Sequence, residues 1–139
     1  MDSNKEGPKK LREVQVCSFK DVRILMANDE MVSMHFWTDR LLFAISHIPP
    51  GGRSTLDPGH KDADEIAYVI KGMLVIEFPN LNRWERICEG ESILIPQEEP
   101  HVVINPGSEE AVSVWATAPH LGYEISDLTG TKSESGKEK

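Results

Sequence analysis

With 139 residues, 39% of them hydrophobic and 27% charged, the chain has the size and make-up of one globular domain that buries most of its apolar surface. Fifteen Lys and Arg against 23 Asp and Glu give a formal net charge of −8, which argues against a basic nucleic-acid footprint and against docking on anionic lipid. Two distant cysteines, Cys17 and Cys88, form no CxxC, so cysteine-based zinc or redox chemistry is not expected, and two reduced thiols are.

The first ten residues, MDSNKEGPKK, are polar and contain no apolar core of a leader peptide. No later stretch approaches the roughly 20 apolar residues needed to span a bilayer. A cytoplasmic protein is the expectation. Residues 1–10 and 129–139 lack apolar periodicity and read as flexible ends, leaving 11–128 as the folded domain.

Between the ends, short runs alternate with period two and are bounded by Gly, Pro, Asn and Asp, the pattern of β-strands. In chain order they are EVQVC (13–17), DVRILMA (21–27), MVSMHFW (31–37), RLLFAISHI (40–48), EIAYVIKG (65–72), MLVIEF (73–78), WERI (84–87), ESILIP (91–96), HVVINP (101–106) and AVSVWATA (111–118). Residues 20–30 are the most ambiguous, and 119–128 could hold a short helical turn. With many short strands, no long amphipathic helix and no internal repeat, the fold class is all-β: a single antiparallel barrel or sandwich, since closure removes exposed edges.

Three residues of metal-ligand type sit at strand starts: His60, Glu65 and His101. Neighbouring strands lie about 4.8 Å apart, so side chains at adjacent starts can converge on one ion. His60 and Glu65 are five residues apart and would face opposite ways in a regular strand. Sharing a metal therefore requires a turn or bulge, and Lys61-Asp62-Ala63-Asp64 is where it would fall. Two imidazoles and one carboxylate with open positions suit Fe(II) and also hold Mn, Ni, Co or Zn.

Placed together, these residues resemble the two motifs of the cupin superfamily, G-x5-H-x-H-x(3,4)-E-x6-G and G-x5-P-x-G-x2-H-x3-N. The first falls on Gly52, Pro58, His60, Glu65 and Gly72, and the second on Gly90, Pro96, Glu98, His101 and Asn105. All ten positions keep the spacing. Pro58 stands where the first motif has a histidine, and Glu98 where the second has a glycine. The resemblance implies a jelly-roll barrel, one divalent metal on His60, Glu65 and His101, and a homodimer, to which LREVQVC could contribute an edge strand. His47 is a candidate to complete the metal shell.

By alternation from Glu65 and His101, the residues Ala67, Val103 and Asn105 would line a pocket, with His35, Trp37, His47 and Trp115 on bordering strands. Tyr68 alternates outward and is not assigned a role. Arg53 and Lys61 are candidates to anchor a carboxylate at the mouth. The expected function is a metal-dependent enzyme acting on a small carboxylate, carbonyl or phenolic substrate, of dioxygenase or isomerase/lyase type. The alternative is a non-catalytic cupin that binds a sugar or an acid. No catalytic residue is assigned from sequence.

Overall fold

The computed structural model describes residues 13–119 and is built on β-strands throughout. These are β1 (Arg23–Ala27), β2 (Glu30–Trp37), β3 (Leu42–Ile48), β4 (Asp64–Lys71), β5 (Met73–Phe78), β6 (Arg83–Cys88), β7 (Ser92–Ile95), β8 (Val102–Ile104) and β9 (Ala111–Ala118). Helical structure among the described residues is limited to two 3-10 turns, Phe19–Asp21 and Pro79–Leu81. All pairings are antiparallel. One sheet has the order β1-β2-β3-β9-β4-β7 and the other β6-β5-β8. The expected jelly roll forms, as two facing sheets and not as one continuous ladder around a barrel.

Alternation builds the core directly. In β3, Leu42, Ala44, Ser46 and Ile48 point inward, and in β4, Glu65, Ala67 and Val69 do so. Ile48, Ala67 and Val69 share one cluster with Leu74, Ile76 and Phe78 of β5, Ile87 of β6 and Trp115 of β9, and Leu42 and Ala44 form a second with Met34 of β2. Burying each Leu or Ile contributes roughly 1.5–3 kcal/mol, which locks the register, since a one-residue slip would turn this face to solvent. Tyr68 points outward, as alternation requires.

Residues 20–30 resolve into a hairpin. Asn28 adopts φ 61°, the left-handed conformation that a two-residue Asn-Asp turn needs. This turn is tied to the segment after β3: the Asn28 amide donates to the Arg53 carbonyl at 3.0 Å, and Asp29 Oδ2 accepts from the Arg53 amide at 3.0 Å. The same segment runs alongside β8, with Ser54 N bonded to Val103 O, and Asp57 and His101 exchanging backbone bonds at 2.8 and 2.9 Å. Residues 51–57 thus stitch the edge of the small sheet to the β1–β2 turn of the large one.

One expected strand does not form. Residues 13–18 carry no regular structure, and Val14 and Val16 are 98% and 91% exposed. Their alternation is sound, but no neighbouring strand among the described residues supplies a ladder, and a lone strand gains nothing from its pattern. The helical turn considered for 119–128 and the ends 1–10 and 129–139 lie outside the described residues, apart from Pro119.

Candidate metal centre

His101 immediately precedes β8, and its backbone pairs with that of Asp57 across the narrow sheet. Directly opposed residues project on the same side, so this pairing aims the Asp57 carboxylate and the His101 ring together, with Asp57 Oδ2 3.6 Å from His101 Nε2. Glu65 enters from the large sheet as the second residue of β4. Its Oε1 lies 3.4 Å from His101 Nε2, its Oε2 3.4 Å from His60 Nε2, and Thr117 Oγ1 donates to Oε2 at 3.3 Å.

His60 reaches the cluster because the chain turns at Lys61–Asp62 before β4 begins, at the break the spacing requires. Upstream, Asp57 Oδ1 accepts from Gly59 N at 2.8 Å, an Asx-type turn. Gly59 has φ 93°, and a Cβ there would sit 2.7 Å from Glu99 N; only glycine fits between the two loops. Glu98 N donates to His60 O at 2.7 Å, and Glu98 itself adopts φ 62°. The turn at Glu98 therefore keeps the left-handed conformation that glycine favours, although a glutamate occupies it.

His101, Glu65 and His60 are well covered, at 2%, 8% and 8% exposed, and Asp57 is half-buried. Burial by itself would raise the Glu65 pKa, but hydrogen bonds and charge from His101 and His60 overcome it and hold the carboxyl at about 2. Burial likewise opposes charging His101, yet bonding to Glu65 and the charges of Asp57 and Glu65 lift it to about 9. His60 is raised for the same reason, its bond to Glu65 outweighing desolvation. Asp57 is raised by burial and by the Glu65 charge. Protons on the imidazoles thus balance carboxylates in the place where a cation would do so.

The donor set fits a divalent transition metal. One ligand atom from each of Asp57, Glu65 and His101 lies within 4.8 Å of the others, and His60 borders the group through Glu65. His101 Nδ1 lies 2.9 Å from the Glu99 carbonyl oxygen. A carbonyl only accepts, so Nδ1 carries a proton, and Nε2, once deprotonated, would present its lone pair to a metal in the cluster. Metal-ligating histidines are oriented in this way.

A cavity of about 80 Å³ opens beside the cluster, enough for several waters or a small organic molecule. Its polar wall includes Glu30, Ser46, Asp57, His60, Glu65 and His101; its apolar wall includes Leu25, Val32, Met34, Leu42 and Trp115. Trp115 stacks on His101, with ring centroids 6.2 Å apart and planes 6° from parallel.

A family model described as "Cupin domain" matches residues 44–117. The chain is a cupin. Solved structures agree on the fold. An uncharacterised protein with a double-stranded β-helix domain from Klebsiella pneumoniae is 18% identical with a TM-score of 0.66, covering 80% of this chain and 95% of that one. A predicted oxalate decarboxylase from Thermotoga maritima is 19% identical with a TM-score of 0.60, covering 76% and 99%. The polyketide cyclase RemF from Streptomyces resistomycificus is 17% identical with a TM-score of 0.62, covering 84% and 91%. Identities this low establish the shared fold and no shared activity. A search of curated protein sequences finds no match.

In this cupin the expected pocket residues divide. Val103 and Trp115 line the cavity. Ala67 faces inward but is sealed in the core, at 0% exposed. Asn105 is also fully buried, yet its side chain is spent on backbone: Nδ2 donates to Ile48 O and Glu109 O, and Oδ1 accepts from Gly107 N. It is a turn anchor. His47 alternates to the outer face of β3 and pairs with Glu110 at 3.3 Å, so it does not complete the metal shell. A register shift between Met34 and Phe36 re-aims β2; His35 sits edge-on to Phe43, and Trp37 packs against Met34, Leu42 and Ala44. Arg53 pairs with Glu77, and neither it nor Lys61 lines the cavity.

Two acidic residues of the cavity were not singled out from sequence. Asp57 directly precedes Pro58, the position where the cupin motif loses a histidine, and that neighbouring carboxylate was the available signal. Glu30 had none beyond following an Asn-Asp turn.

Proposed function

We propose that this cupin is a metal-dependent enzyme that holds one divalent transition metal through Asp57, Glu65 and His101 with His60, and acts on a small uncharged carbonyl or phenolic molecule. The observation that carries the reading is the buried convergence of two imidazoles and two carboxylates with His101 Nδ1 turned to a backbone carbonyl. A bound dication would polarise a substrate oxygen. The chain itself supplies orientation, a largely apolar wall and exclusion of water. Asp57 and Glu65 neutralise a dication, and no Lys or Arg among the described residues lines the cavity. Nothing in that wall favours a carboxylate substrate, so the carbonyl and phenolic members of the expected class fit best. Proton-transfer chemistry of the isomerase or lyase type is preferred to dioxygenation because an acidic side chain, Glu30, shares the cavity.

Metal analysis of protein purified without a histidine tag tests the centre: about one ion per chain is expected, and a content below a tenth of that rejects it. Turnover of α-hydroxyketones without O2 uptake supports the preferred chemistry. O2 uptake with catechols points to the dioxygenase, and saturable binding without product to the non-catalytic alternative.

A homodimer is part of the same proposal. On the outer face of the large sheet, Ile66, Tyr68, Ile70 and Leu94 are each 47–61% exposed, an apolar strip of the kind that marks an interface. Light scattering is expected to report two chains per particle, and one chain per particle sinks this part. A cytoplasmic location is proposed because Cys17 and Cys88 are both free thiols, as a reducing compartment keeps them; recovery in another cell fraction would refute it. No helix among the described residues is long and apolar enough to cross a membrane.

A further inference from the structure

We infer that Glu30 is the proton-transfer residue of the cavity, taking a proton from and returning it to a neutral α-hydroxy-carbonyl ligand held there. The inference deepens the proposed function and rests on its cavity. Glu30 opens β2, is 9% exposed, and lines the same cavity as Asp57, Glu65 and His101. Ser46 Oγ, itself 1% exposed, donates to Glu30 Oε2 at 2.6 Å. Among the described residues Glu30 makes no ion pair with a basic side chain. A buried carboxylate without a cationic partner is costly and takes up a proton instead.

Position matters as much as burial. Glu30 follows the Asn28-Asp29 turn, which is pinned to Arg53 by two hydrogen bonds, and Arg53 lies four residues before Asp57. The carboxyl is therefore fixed relative to the cluster by backbone and not by a mobile loop.

The charged groups that act on Glu30 are Glu65 and Asp57, which disfavour its ionisation, and His101, which favours it. Burial is the largest influence, and together they bring its pKa to about 7 despite the Ser46 hydrogen bond. A dication would cancel Asp57 and Glu65, but the burial would remain. A group that is half-ionised near neutrality both accepts and donates protons efficiently.

With an α-hydroxyketone the step balances without an oxidant. The carboxylate of Glu30 removes the hydrogen on the hydroxyl-bearing carbon as a proton. The C–H electron pair becomes a C=C bond, and the carbonyl π pair moves onto oxygen. Return of the proton to the same carbon regenerates the ligand; its return to the neighbouring carbon, with the hydroxyl proton passing to the enolate oxygen and the hydroxyl-bearing carbon becoming the carbonyl, gives the isomer.

The test uses tag-free, zinc-loaded protein, wild type and Glu30→Gln, with 3-hydroxybutan-2-one in D2O. The carboxamide oxygen introduced by E30Q would still accept the Ser46 hydrogen bond, so the fold is retained and an unchanged thermal midpoint checks it. Proton NMR should show exchange of the carbinol hydrogen falling about 100-fold or more in E30Q, at equal zinc content. Infrared spectra at pH 6, where an ordinary glutamate is ionised, should show a carboxylic-acid C=O band in wild type that E30Q lacks. Exchange no faster in wild type than in E30Q, with zinc bound to both, overturns the inference and leaves the metal centre standing. A lowered midpoint with unchanged exchange assigns Glu30 a structural role and also overturns it. Zinc absent from the wild type, with exchange and the acid band still lost in E30Q, removes the metal reading and supports the inference about Glu30.

Discussion

His101→Ala is expected to weaken metal binding by at least about 100-fold while leaving a folded protein. Loss of residues that merely orient a ligand costs 10–100-fold, and His101 is placed as a ligand, so the upper end is the floor. Its Nε2 lies 3.4 Å from Glu65 and 3.6 Å from Asp57, and at 2% exposure no solvent-side group can take its place. The substitution also removes the ring that stacks on Trp115 and lies tilted against Phe78. A void of that kind costs about 2–4 kcal/mol, an amount that a domain with several buried Leu and Ile residues should survive. His47→Ala is the matched control, because it deletes an imidazole on the outer face beside Glu110. Titration calorimetry with zinc should show a large loss for H101A and none for H47A. Equal affinity in H101A and wild type would remove His101 from the site.

The fold was legible because its strands carry their own periodicity. The runs of β3, β4 and β9 alternate so cleanly that inward and outward residues could be assigned without knowing any partner. The misjudged segment, 13–17, alternates equally well; what it lacks is a neighbouring strand, and pairing is not written in a single run. The same division holds at the site. His60, Glu65 and His101 stand at strand starts with motif spacing, and the structure gathers them. Asp57 arrives by pairing with His101, a contact between residues 44 positions apart that no local pattern announces. Glu30 depends on a hairpin pinned to Arg53, equally non-local. Alternation carries less far past irregularities: His35 falls at the register shift in β2, Trp37 packs behind the lining residues Met34, Leu42 and Ala44, and Asn105 satisfies backbone at a turn. Alternation reports which face a residue takes. It does not tell whether that face meets a cavity, a core or a carbonyl group.

Rising pH should destabilise the metal-free protein more than the zinc-bound one. In the metal-free protein the raised pKa of His101, from 6.5 to about 9, favours the folded state below pH 6.5, and that stability is lost as pH rises through 9. The change corresponds to roughly 3 kcal/mol, and His60, also raised, adds loss of the same sign. Glu30, raised to about 7, stabilises below pH 4.5 and surrenders its contribution as pH climbs through 7. Glu65 has the opposite sign: held at about 2, it stabilises above pH 4.5 and fails as pH falls towards 2. Its contribution and that of His101 describe one shared pair and do not add. Metal-free stability should therefore peak near pH 4.5–5 and decline towards pH 9. Zinc needs His101 and His60 deprotonated, so its affinity climbs over that same interval, and the metal stabilises by RT ln(1 + c/Kd), with c the free zinc concentration, which grows as Kd falls. Thermal midpoints measured with and without zinc should accordingly diverge as pH rises from 5 to 9. A constant gap across that range would mean that His101 and His60 give up no protons to the metal, and the proposed centre would fall with them.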